Sequence, residues 1–94
     1  MQFNWDDNKN KTNLAKHGIS FGAASLVFDD PCALSKQERY KDGEERWQTL
    51  GLINGVVVLL VAHTFQEQDE VEIVRIISAR KATRQERKYY EQNI

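Results

Sequence analysis

Arginine and histidine are the residues of this chain best suited to chemistry on a phosphodiester. A guanidinium forks onto two phosphate oxygens and keeps its charge. An imidazole exchanges protons near neutrality. Cleavage of a phosphodiester by a neighbouring hydroxyl, without metal, needs a base for that hydroxyl, cations for the pentavalent phosphate and an acid for the departing oxygen. Arg46, His63, Arg75 and Arg80 are the candidates for those roles. Arg75 and Arg80 stand on one β-branched run, E-V-E-I-V-R-I-I-S-A-R. They are five residues apart, and strand alternation puts them on opposite faces unless a bulge re-aims one. One is expected to be tied to a carboxylate inside the fold, with Glu45 or Asp30 the candidate partners of Arg75. The other, Arg80 near the following helix, is expected to face phosphate. Arg46 is the expected phosphate ligand of the Glu45-Arg46 pair, since adjacent strand residues face opposite ways.

Each candidate also has a plain structural reading. His63 shares its side of a strand with Leu59, Val61 and Phe65, so it is either a satisfied core histidine or a general base or acid. Lys81, Arg84, Arg87 and Lys88 form a solvated basic helix face or a surface for RNA or an acidic partner. Tyr89 and Tyr90 could stack on bases, with one of them anchoring the helix to the core. His17, at a helix C-terminus, suits capping of carbonyls. No Cys/His cluster has zinc spacing, and no metal or other cofactor is expected.

Composition narrows the class. The 94 residues are 40% apolar and 29% charged, as expected for one globular domain spanning 1–94. A net charge of −1 argues against coating nucleic acid by bulk charge. The charge is segregated, however. Residues 80–88 set five cations against Glu86, and residues 67–72 hold four acids and no cation, so any polyanion site must be local. No apolar run approaches the roughly 20 residues of a membrane span. The lone Cys32 and the absence of an evident signal peptide point to a reducing cytoplasm.

The elements that must position these residues follow from pattern. Gln2–Trp5 reads as a short edge strand. Asp6 caps a polar helix that ends near His17 with Gly18 beyond it, and Ser20 caps a second helix over Phe21–Phe28. Cys32–Ser35 reads as a short strand and Gln37–Glu45 as a charged loop. Arg46–Ile53 and Val56–Phe65 are strands joined by Asn54-Gly55, the strongest short hairpin signal in the chain. The second is apolar on both faces and should be central. Glu70–Arg80 is the last strand, and Thr83-Arg84-Gln85-Glu86 is a capping box that opens the final helix. The fold class is α+β: two N-terminal helices and one C-terminal helix on a mainly antiparallel sheet of about four to five strands.

W-D-D-N-K at Trp5–Lys9, K-H-G-I-S-F at Lys16–Phe21, V-F-D-D-P at Val27–Pro31, G-E-E-R at Gly43–Arg46 and R-I-I-S-A-R-K-A at Arg75–Ala82, followed by E-R-K-Y-Y, resemble the BrnT-type toxins of bacterial type II toxin–antitoxin pairs. The resemblance runs in order over nearly the whole chain. It implies a RelE-like fold and an endoribonuclease that blocks translation. It also implies a BrnA-type ribbon-helix-helix antitoxin in a heterotetramer of two toxins and two antitoxins, which would touch operator DNA only through the antitoxin. Two positions depart from the family's pattern. The turn after His63-Thr64 often carries arginine but here reads Phe65-Gln66-Glu67, and Ala23 stands where glutamate commonly follows Ser20. A rival reading, from the acidic pI and the missing turn arginine, is a non-catalytic module, the antitoxin-bound corepressor half of a repressor.

Overall fold

Three tight turns set the sheet. Asp42-Gly43, Asn54-Gly55 and Asp69-Glu70 each hold two successive residues at positive φ, between 52° and 79°. That backbone twists with the strands it joins, so each turn closes an antiparallel hairpin. The computed structural model describes residues 1–94, and its hairpins link β2 (Leu34–Lys41), β3 (Glu44–Ile53), β4 (Val57–Gln68) and β5 (Val71–Lys81). The stretch read as a charged loop, Gln37–Glu45, is therefore most of β2 and the start of β3. Every residue from Ser35 to Lys41 is exposed. The short strand read at Cys32–Ser35 meets only the start of β2; an edge strand of that kind has no buried side to impose an apolar alternation, so the signal for the rest was Asp42-Gly43.

β1 (Gln2–Asn4) pairs parallel to β5, and the strand order is β1-β5-β4-β3-β2. β4 lies at the centre, as its two apolar faces require. α1 (Asp7–His17) opens on Asp6, whose carboxylate accepts the Lys9 N–H at 3.0 Å, and closes on Gly18 at φ 72°. It does not dock through Leu14, which is 50% exposed. Its buried residue is Asn13, whose amide donates to the carbonyls of Ile19 (2.9 Å) and Ala79 (2.8 Å) and accepts from the Ala79 N–H. A polar helix thus reaches the sheet by satisfying backbone groups rather than by an apolar stripe.

α2 (Phe21–Ala24) is shorter than the single helix expected. The chain tightens to 3₁₀ geometry over Ser25–Asp29 and seats Val27 over Gly51. α1, α2 and this turn cover one face of the sheet, where Phe21, Val27, Leu59, Val61, Val74, Ile76 and Ala79 form the main core. α3 (Arg84–Gln92) covers one end of the other face. Its Tyr90 packs with Leu50, Val58 and Leu60, and its hydroxyl donates to Asp30 Oδ2 at 2.5 Å. Burial and this bond push the Tyr90 phenol up to about 12. The rest of that face is uncovered.

Candidate active face

A bulge decides which arginines can act together. Ala62 pairs with Ser78, but His63 pairs with Ile76, so Ile77 is an extra residue in β5. The extra residue resets the alternation. Val74, Ile76 and Ala79 all enter the main core, and Arg75 and Arg80 both fall on the opposite face. The expectation of opposite faces is corrected by this one inserted residue.

The carboxylate pairing expected for Arg75 belongs to the other arginine as well. Arg80 is the one bound to a carboxylate: its Nη1 and Nη2 donate to Glu86 Oε1 and Oε2 at 2.8 and 3.0 Å. Glu86 Oε1 also accepts the Thr83 N–H at 2.8 Å, while the Thr83 hydroxyl accepts the Glu86 N–H at 3.1 Å. The capping box and the ion pair share one carboxylate. The Arg80 fork holds that carboxyl down at about 2, and the same contact raises Arg80. Arg75 is exposed and belongs to neither ion pair of the structure, Arg80–Glu86 and Arg39–Glu38. Its field reaches Asp6, whose carboxyl is lowered mainly by the Lys9 N–H.

Register aligns Arg75 with Thr64 on β4 and Thr64 with Arg46 on β3. Directly opposed residues share a face, so Arg46, Thr64 and Arg75 form a row across three strands. Arg46 Nε is buried without a hydrogen-bond partner. An unpartnered buried donor on a cation is costly unless a ligand meets it. Beside the row is a cleft of about 420 Å³, lined by Asn4, Glu44, Thr64, Gln66, Ile73 and Arg75. Glu44 stands two residues before Arg46, on its face, and is half-buried. Sequence reasoning did not single it out. The signal available was its i, i+2 spacing from Arg46, which was masked by reading that segment as loop.

His63 does not join this row. It is 4% exposed on the helix-covered face, with the Phe28 ring edge-on at 4.9 Å. Its Nδ1 lies 3.2 Å from the Thr64 carbonyl, which can only accept, so Nδ1 carries the proton. Nε2 then accepts from the Thr49 hydroxyl at 2.7 Å, and Thr49 accepts from Ser35 at 2.7 Å. Burial lowers the His63 pKa against the opposing pull of the Thr64 carbonyl. It is a satisfied, neutral core histidine here. Lys81 pairs with Leu59 and so belongs to the helix-covered side, whereas Arg84, Arg87 and Tyr89 are exposed on α3.

These groups give stability a defined acid limb. The Glu86 carboxyl titrates near 4.5 when unfolded and about 2 when folded, so its contribution is whole above 4.5 and is lost as pH falls toward 2. His63 is lowered from 6.5, so the unfolded chain takes up that proton first and weakens the fold from about pH 6.5 downward. Urea midpoints followed by circular dichroism should fall below pH 6.5 and fall again below 4.5. Glu86→Gln should flatten the second fall, and an unchanged curve would contradict the assignment.

The toxin model "Ribonuclease toxin, BrnT, of type II toxin-antitoxin system" matches residues 5–86, nearly the whole chain. The chain belongs to this BrnT family. It is therefore a ribonuclease toxin of a type II toxin–antitoxin system, and an antitoxin is its partner. The solved ribonuclease toxin BrnT of Brucella abortus superposes with a TM-score of 0.62 at 27% identity, covering 89% of this chain and 99% of that one. No curated protein matches by sequence. The BrnT match carries the α+β expectation with it: three helices and a five-stranded, mainly antiparallel sheet. No helix is long and apolar enough to cross a membrane.

Proposed function

We propose that this BrnT-family chain acts as a single domain, cutting RNA at the Arg46–Thr64–Arg75 row by attack of the ribose 2′-OH on the adjacent phosphorus, with no step through a metal. The supporting observation is the row itself: two guanidiniums on one open face, neither held by a carboxylate. Arg46 and Arg75 bind the non-bridging oxygens and stabilise the charge that grows there. Glu44, in the same cleft as Arg75, takes the 2′-OH proton. The P–O5′ bond breaks, the departing oxygen takes a proton from solvent on the open face, and a 2′,3′-cyclic phosphate is left. Arg80 is held by Glu86 and sets the position of α3, while Tyr89 and the exposed Arg84 and Arg87 extend the RNA surface.

The partner in this reading is a BrnA-like ribbon-helix-helix antitoxin, two per two toxins, which contacts operator DNA on behalf of the complex in the cytoplasm. Antitoxin-free protein should cut single-stranded RNA in EDTA and leave cyclic phosphate ends, read by mass spectrometry. Loss of cutting on chelation, restored by a divalent cation, would sink the metal-free route.

A further inference from the structure

A second cleft lies on the same open face, between the sheet and α3, with a volume of about 410 Å³. Leu34, Leu50 and Leu60 form its apolar floor. Tyr89 lines it from α3, and its polar rim is Gln48 and Gln85 with Lys36 and the Arg80-bound Glu86. A nucleobase has this character: apolar on both ring faces and polar around its edge. Tyr89 is 56% exposed, so its ring is available for stacking. An amide offers both a donor and an acceptor to a base edge.

Register ties this cleft to the arginine row. Gln48 is two residues from Arg46 on one face of β3, and Ala62, its partner on β4, is two residues from Thr64. Two residues along a strand span about 6.8 Å, on the order of one nucleotide step of an extended chain. Leu50 and Leu60 continue the same two strands one step further. A strand whose phosphate sits at Arg46 and Arg75 would bring a neighbouring base over Leu50, Leu60 and Tyr89.

We propose that the Leu50–Leu60–Tyr89 cleft is a base-specificity pocket. It takes one unpaired RNA base within one or two nucleotides of the cut, stacked against Tyr89, with its edge read by Gln48 and Gln85. The inference rests on the cleavage site being the Arg46–Thr64–Arg75 row. It adds the recognition of sequence, which the cations cannot supply because phosphate contacts carry no base identity. The apolar floor favours a base over a second phosphate.

The test uses antitoxin-free full-length protein and a long RNA of mixed sequence, with cut positions mapped by sequencing. Wild type should favour one base at a fixed offset from the cut. The Gln48→Ala/Gln85→Ala double variant should lose about ten-fold or more of that preference. Tyr89→Ala should raise KM more than it lowers kcat, and Tyr89→Phe should restore KM. A preference unchanged in the double variant, or no preference in wild type, overturns the pocket. So does the outcome in which these variants lose affinity for antitoxin while cutting the wild-type pattern, since the cleft would then belong to the antitoxin. Circular dichroism melts guard against misfolding, and an abasic nucleotide at the favoured offset in otherwise identical RNA gives a second reading on unaltered protein. There the pocket predicts an about ten-fold weaker cut; equal cutting contradicts it. Arg75→Ala, run in parallel, separates the two claims. If it cuts at the wild-type rate, the row is wrong whatever the base pattern shows.

Discussion

Arg75→Ala should lower single-turnover RNA cleavage by about 10²–10³-fold, the usual cost of removing one group aimed at transition-state charge. The same substitution should leave the melting temperature nearly unchanged. Arg75 is exposed and joins neither ion pair, and surface changes away from structural partners stay within about 0.5 kcal/mol. The split between activity and stability is the informative part. Arg80→Ala would not give it, because that change also strips Glu86 of the fork that holds it near 2 and weakens the start of α3. Arg75→Lys should recover only part of the rate, since a point charge cannot make the two-pronged contact. A fully active Arg75→Ala enzyme would remove Arg75 from the site.

Gly51→Ala should be the most destabilising small change in the chain. A Cβ at Gly51 would stand 2.6 Å from Val27 Cβ, 2.9 Å from Val27 O and 3.0 Å from Val27 Cα. Two of those atoms are backbone, so the 3₁₀ turn over Ser25–Asp29 must move off the sheet. Overpacking of this kind costs about 1–3 kcal/mol, occasionally more. For a domain of this size, each kcal/mol lowers the melting temperature by about 4–8 °C. Val27→Ala should not rescue it, because shortening the side chain leaves the Val27 carbonyl in place. Differential scanning calorimetry of the single and double variants checks both statements, and a Gly51→Ala melt within 2 °C of wild type, on the order of a surface change, would show that the turn yields freely.

Which parts could be read in the sequence follows from what each part depends on. The caps at Asp6, Ser20 and Thr83 are local, and each forms as read. Asn54-Gly55 and the two-sided apolar run of β4 needed only neighbouring residues, and they fixed the hairpin and the centre of the sheet. Of β2 only the start was read, at Leu34-Ser35, because the rest is an exposed edge strand with no apolar period. The faces of Arg75 and Arg80 were misjudged because the bulge at Ile77 arises from pairing with a strand that the local sequence does not show. The partner of Arg80 could have been found: Glu86 was already placed in the capping box, six residues on, and one carboxylate serves both. His63 was hardest, since a strand histidine looks the same in sequence whether it faces solvent or Phe28.

The placement of RNA on the open face, away from His63, is tested most directly by side-chain NMR of antitoxin-free protein titrated with a 2′-O-methyl RNA that cannot be cut. The Nε–H signals of Arg46 and Arg75 should shift together and saturably, while the ring signals of His63 and Phe28 stay in place. Shifts at His63 and Phe28 with Arg46 and Arg75 unmoved would put the RNA on the helix-covered face and contradict the account.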